Sequence, residues 1–147
     1  MEYVSQSASD TQAIAARLAE KVRAAMPGAA ATVIALRGDL GAGKTTFTQG
    51  FAHALGITQP PKSPTFMLAK RYAIPGTVYS LWHLDCYRLQ SHADLAALDM
   101  HAVFEDPNNI ILIEWPERIG DGIPRGHIEI HFAHAGNDKR TITISEP

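Results

Sequence analysis

Residues 31–47, ATVIALRGDLGAGKTTF, constrain this chain more than any other stretch of it. Gly38, Gly43, Lys44 and Thr45 satisfy the spacing G-x-x-x-x-G-K-[ST]. The run ATVIAL (31–36) before the loop is short, apolar and without alternation, which predicts a strand covered on both faces, as in a parallel sheet. After the loop, Phe47, Phe51, Ala54 and Leu55 fall on one helical face, and Gly56 supplies a C-terminal stop. A strand, a glycine-rich turn and a helix in this order aim successive backbone N–H groups and the positive end of a helix at one anion. Side chains would block that approach, hence the glycines. Lys44 would then reach the β- and γ-phosphates of a nucleotide, and the Thr45 hydroxyl would ligate Mg²⁺.

Such a site needs an acid at the end of a neighbouring strand and a group that orients the attacking water. Glu114 closes the apolar run IILI (110–113), and Asp85 sits in WHLDCYR among large apolar neighbours. We assign Glu114 to the metal and Asp85 to polarising water or supporting the metal's outer shell, with exchange of the two roles left open. His83, two residues before Asp85, points to the same side of a strand and is expected to shape the site without binding metal. The base is expected to be adenine, because the chain lacks the N-K-x-D segment that reads guanine; Asn137-Asp138-Lys139 does not fit it. An arginine-rich lid of the small-kinase type is also missing, since Arg118 and Arg125 alone serve the loop after Glu114.

The rest of the chain reads as an α/β unit. Ser9 and Gln12 have capping-box spacing, and Ile14, Leu18 and Val22 continue one helical face up to Pro27-Gly28. QPPKSP (59–64) is expected to be loop-like, and Pro75-Gly76 joins two antiparallel strands drawn from TFMLAKRYAI and TVYSLWHLDCYRL. SHADLAALDMHAVFED (91–106) predicts a helix with Leu95, Leu98, Ala102 and Val103 or Phe104 inward. WPERIGDGIP is turn-rich and expected to be exposed, and HIEIHFAHA and KRTITIS form a terminal hairpin about GND. The fold class is therefore α/β and P-loop NTPase-like, a central mainly parallel sheet with antiparallel strands at the edges and flanking helices. With 147 residues, a single domain over 1–147 is expected.

No apolar run approaches the roughly 20 residues of a membrane helix, and MEYVSQSASD lacks the basic and apolar regions of a signal peptide, so a cytoplasmic protein is expected. The lone Cys86 is read as buried filler. A formal net charge of −2 excludes the positive field of a non-specific nucleic-acid binder, so any RNA would be held by another protein. Seven histidines are present, and His127 and His131 would share a strand face, but without an accompanying cysteine or carboxylate cluster they read as ordinary surface or core residues.

GDLGAGKTTF, SPTF (63–66), the H-x-D-x-Y-R segment at 83–88 and IEWPER (113–118) stand in the order seen in the TsaE (YjeE) family, and the chain resembles that family over essentially its whole length. The resemblance implies a bacterial ATPase required for threonylcarbamoyladenosine in tRNA, working with TsaB and TsaD and touching tRNA only through the complex. It implies that Gly41, Ala42, Gly43, Lys44, Thr45 and Thr46 embrace the phosphates, that Thr45 and Glu114 bind Mg²⁺, and that Asp85 serves hydrolysis. It further implies that Thr65 is a switch threonine near the γ-phosphate and that Trp115 is the tryptophan beside the metal ligand. KRY (70–72) and DMHAVFED depart from the family pattern and bear on partner contacts. The N-terminal segment and Lys139 or Arg140 are further candidates for nucleotide contact. Two other readings stay open: a nucleotide-gated binding module without turnover, and a small-metabolite P-loop kinase.

Overall fold

The computed structural model describes residues 1–39, 41–59, 69–87 and 99–147. One seven-stranded sheet runs through the molecule. Its strands are β1 (Glu2–Ser5), β2 (Thr32–Arg37), β3 (Ala69–Ala73), β4 (Ser80–Asp85), β5 (Asn109–Glu114), β6 (Ile128–His134) and β7 (Arg140–Ser145), in spatial order β1-β7-β6-β2-β5-β4-β3. The central strands β6, β2, β5 and β4 are mutually parallel, whereas β3, β7 and β1 add antiparallel edges. This is the α/β architecture expected from the alternation of apolar runs and helical periodicities.

Burial follows from strand pairing. All six residues of β5 are buried, as befits a strand with neighbours on both sides and cover on both faces. One face packs under α1 (Ala8–Ala24) and α2 (Lys44–Ala54), where Ile34, Leu36, Leu112 and Ile130 meet Leu18, Phe47 and Phe51. The opposite face carries Val33, Leu84, Ile111 and Ile113 and is covered by α3 (His101–Glu105) and two 3₁₀ turns, Pro116–Arg118 and Gly120–Gly122. Helices α1 and α2 cross closely at Gly50, where an added Cβ would lie 2.7 Å from the Gln12 Cα. Gly50→Ala is therefore expected to destabilise the protein by about 2 kcal/mol through overpacking. A fall of several degrees in the thermal midpoint, with nucleotide binding retained in the folded fraction, is the result to look for.

Several boundaries differ from the sequence reading. The N-cap of α1 is Ser7, not Ser9: its hydroxyl accepts the Asp10 N–H at 3.1 Å, which places the first helical residue at Ala8. β1 was not anticipated, because a four-residue edge strand has too little pattern to stand out. It is defined by pairing with β7, Glu2 opposite Thr143, and by the buried Ser5 hydroxyl, 2.7 Å from that of Thr11. A single helix over 91–106 is not formed: Asp99 adopts φ 55°, a left-handed conformation that interrupts it ahead of α3. In α3, Phe104 points inward and Ala102 is exposed, while Leu95 and Leu98 lie outside the described residues. WPERIGDGIP is turn-rich but not wholly exposed, since Pro116, Ile119 and Ile123 are buried under the sheet. Among the described residues no helix is long and apolar enough to cross a membrane.

Candidate functional site

The site gathers at the C-terminal ends of β2, β4 and β5, where open α/β sheets place their ligands. β2 ends at Arg37 and the chain turns at Gly38, whose hypothetical Cβ would lie 2.7 Å from the Phe132 carbonyl on β6. Only glycine allows the loop to leave the sheet so close to that neighbour. Gly43 stands immediately before α2 at φ 107°, a conformation that β-carbon sterics make costly for other residues. The first helical hydrogen bond runs from Phe47 N–H to the Gly43 carbonyl, at 2.9 Å. The N–H groups of Lys44, Thr45 and Thr46 thus lack helical partners, and α2 has neither a side-chain cap nor an acid in its first turn. Together with the helix dipole these groups favour an anion.

A cleft of about 480 Å³ lies over this helix start, a size typical of small-molecule sites. Gly41, Gly43, Lys44, Thr45 and Thr46 line one wall, while Gln6, Ser7, Ala8 and Thr11 approach from the start of α1. Arg140 and Asp138 contribute from the terminal hairpin, and the Arg140 Nη2 donates to the Gly41 carbonyl at 3.2 Å. Of the two basic residues suggested by sequence, Arg140 lines the cleft and Lys139 does not. Ala42 is buried beneath the loop, its N–H donating to the Asp39 carbonyl at 3.1 Å.

Lys44 is only 5% exposed. Its Nζ donates to the Gly38 carbonyl at 2.7 Å and lies 3.8 Å from the centre of the Trp115 ring. Burial lowers the Lys44 pKa, opposed by the Glu114, Glu117, Asp85 and Asp39 carboxylates around it. An ammonium so placed has lost hydration that an incoming phosphate would replace. Trp115 is held in a left-handed conformation, φ 58° and ψ 49°, at the junction of β5 with the first 3₁₀ turn. Its ring meets Tyr87 edge-on at 5.1 Å, and Tyr87 itself is about half exposed.

The parallel register sets Asp85 opposite Glu114 at the ends of β4 and β5. The two acids singled out from sequence are therefore adjacent. Asp85 is half-buried, and its Oδ1 accepts the Tyr87 N–H at 3.0 Å. Glu114 is 5% exposed, and its Oε2 lies 2.6 Å from His83 Nε2. That contact could not be read from sequence, because the partners lie 31 residues apart and meet through strand register. Thr65 lies outside the described residues.

On the other face, Arg37 bridges β2 to β6 and the first 3₁₀ turn. Its Nε and Nη2 donate to the two Glu129 oxygens at 2.7 and 3.0 Å, and Nη1 lies 3.4 Å from Glu117 Oε2. His127 and His131 flank the same carboxylate at 2.8 and 3.1 Å, so these histidines serve an ion-pair network. No group of three or more histidine, cysteine or acidic side chains suited to a metal occurs among the described residues. Chiefly through the Arg37 hydrogen bonds, Glu129 is held down at about 2 from an ordinary 4.5, with burial opposing and His127 assisting. A depressed carboxyl stabilises the fold above its unfolded pKa, and that contribution fades as pH falls from about 4.5 toward 2. Glu129→Gln should cost about 1–2 kcal/mol at pH 7, and the gap to wild type in urea unfolding should shrink progressively below pH 4.5. Cys86 is buried, which pushes its thiol up to about 12, as fits filler and not a nucleophile.

The sequence profile described as threonylcarbamoyl adenosine biosynthesis protein TsaE matches residues 5–142, from β1 to β7. The tRNA threonylcarbamoyladenosine biosynthesis protein TsaE of Bacillus subtilis is 41% identical over 113 residues, covering 77% of this chain and 68% of its own. The TsaE protein of Treponema pallidum is 33% identical over 148 residues, covering 99% of this chain and all of its own. The crystal structure of Bacillus subtilis YdiB superposes with a TM-score of 0.74 at 33% identity, covering 99% of this chain and 84% of that one. With the loop, the paired acids and the sheet order in place, a match of this extent makes the chain a member of the TsaE family of tRNA threonylcarbamoyladenosine biosynthesis proteins.

Proposed function

We propose that the protein is a Mg²⁺-dependent ATPase that acts, with TsaB and TsaD, in the cytoplasmic assembly that makes threonylcarbamoyladenosine in tRNA, as a single unit spanning residues 1–147. The observation that carries the proposal is the start of α2, where three N–H groups without helical partners, Lys44 and the Arg140 guanidinium converge on one cleft. Gly41 to Thr46 wrap the triphosphate, Lys44 turns from the Gly38 carbonyl to the phosphates, and Trp115 stays beside the nucleotide. Thr65 serves as the switch threonine near the γ-phosphate.

The Thr45 hydroxyl and the Glu114 carboxylate are hard oxygen donors, and Mg²⁺ characteristically takes one or two such ligands beside phosphate oxygens and water. A buried acid one strand from the loop, with one of its oxygens engaged by His83, fits that role. When bound, the ion would neutralise charge developing on the phosphoryl oxygens. Asp85, less buried than Glu114, orients the attacking water. A partner surface covers the cleft and raises turnover by excluding water, and the exposed Tyr87 beside Trp115 offers it an apolar rim. RNA is reached only through those partners, in keeping with the net charge of −2.

Following γ-labelled phosphate from ATP tests the proposal. Release of inorganic phosphate, slow for the isolated protein and faster with TsaB and TsaD, is the expected result. Label on a small acceptor would point to a kinase, and ATP binding without release even in the full assembly would point to a nucleotide-gated module.

A further inference from the structure

Glu114 closes β5 with one of its two oxygens already engaged. Oε2 lies 2.6 Å from His83 Nε2, and the side chains of both residues are nearly shut off from solvent, at 7% and 3%. An ionised carboxylate accepts and cannot donate, so a contact this short places the proton on Nε2. In a neutral ring the other nitrogen, Nδ1, is then an acceptor, and it is buried without a partner among the described residues. His83 shares its sheet face with Leu81, and a leucine there would strand no nitrogen. The imidazole thus leaves one buried nitrogen unsatisfied, and what it holds is a carboxylate oxygen at the end of β5, beside the strand that leads into the glycine loop.

Register explains why these two residues meet. Asp85 stands opposite Glu114 and His83 opposite Leu112, so His83 is one step behind Glu114 on the same face and reaches it along the diagonal. Asp85 cannot take over the task, since it accepts and does not donate. Lys44 donates to the Gly38 carbonyl and not to Glu114. Among the described residues the imidazole is the hydrogen-bond donor to this acid.

We propose that His83 is a positioning residue: its Nε2–H fixes the rotation of the Glu114 carboxylate, so that Oε1 is the oxygen presented to the divalent cation bound with the nucleotide. The inference rests on the nucleotide and metal reading of the site given above. Without the imidazole the carboxylate rotates among several orientations, and each cation bound must pay the loss of that freedom. The effect falls on the cation and not on the phosphate wrap, which belongs to α2 and its loop.

The test uses Mn²⁺ in place of Mg²⁺, with free Mn²⁺ read by its paramagnetic resonance signal in the presence of ADP, and separately measures ADP affinity in EDTA. His83→Leu is expected to weaken Mn²⁺ in the nucleotide complex by about 10- to 100-fold while leaving metal-free ADP affinity near wild type. His83→Gln, whose amide nitrogen falls near the Nε2 position, should restore most of the Mn²⁺ affinity. His83→Asn places its amide nearer Nδ1 and should not, a contrast that stands even if the leucine variant fails to fold. Unchanged Mn²⁺ affinity in the folded leucine or asparagine variant overturns the proposal, as does a parallel loss of metal-free ADP binding. A wild-type protein that binds ADP with no Mn²⁺ in the complex overturns the metal reading itself, and the role of His83 falls with it.

Discussion

Lys44→Ala is expected to reduce ATP turnover by about 100- to 1,000-fold while leaving the fold intact, because in the proposed function the lysine is the cation that meets charge on the transferred phosphoryl group. Among the described residues its ammonium donates to the Gly38 carbonyl and lies over the Trp115 ring, so its removal sacrifices one hydrogen bond and one cation–π contact. Those contacts together amount to about 1–2 kcal/mol, a modest shift in thermal midpoint beside the catalytic loss. Phosphate release measured alongside circular dichroism separates the two effects. Turnover near the wild-type rate in a folded Lys44→Ala protein would remove this lysine from the reaction.

The second large effect is expected at Glu114, where the choice of substitution matters. Glu114→Ala removes the proposed metal ligand and also leaves the buried Nε2–H of His83 without its acceptor, a further cost of about 1–3 kcal/mol in stability. Glu114→Gln keeps a carbonyl oxygen for His83 but loses the charge that attracts a divalent ion. It is expected to fold like wild type and to require at least about 10-fold more Mg²⁺ for half-maximal hydrolysis. Both variants should still bind ATP in EDTA, since the phosphate wrap proposed above would use main-chain N–H groups at the start of α2. A Glu114→Gln protein with unchanged Mg²⁺ dependence would transfer the metal role to Asp85, its neighbour across the register.

The two predictions differ in how far sequence alone could have reached them. Lys44 announces itself, because the loop spacing is local and its glycines answer to backbone geometry within a few residues. Gly43 at φ 107° and the helix starting at Lys44 are the kind of feature that short-range sterics dictate. Glu114 was legible as an acid closing an apolar run and Asp85 as one among large apolar neighbours, though their adjacency depends on β4 and β5 pairing in parallel. The partnership of His83 with Glu114 was not legible, since a one-residue slip in that register would turn either side chain to the opposite face.

Local periodicity was equally informative about the frame and equally silent about its edges. ATVIAL and IILIE read as buried strands because unbroken apolar runs of that length demand cover on both faces. The terminal hairpin was legible from GND, where Gly136 and Asn137 take positive φ. The proposed helix over 91–106 failed at Asp99, where apolar spacing carried no sign of a left-handed residue. The cap at Ser7 was misplaced because Ser9 offered an equally good local pattern, and only the pairing of β1 with β7 decides where the chain turns into α1.

By itself, then, the sequence determined the strand, glycine loop and helix around Lys44, the acids near strand ends and the antiparallel hairpins, all consequences of interactions between residues close along the chain. The tertiary structure alone decided that the start of α1 and Arg140 share the cleft with that loop, that Trp115 covers Lys44, and that His83 grips Glu114. Those contacts join residues far apart in sequence, and they exist because strand order and register in a single sheet bring distant segments to one end of it.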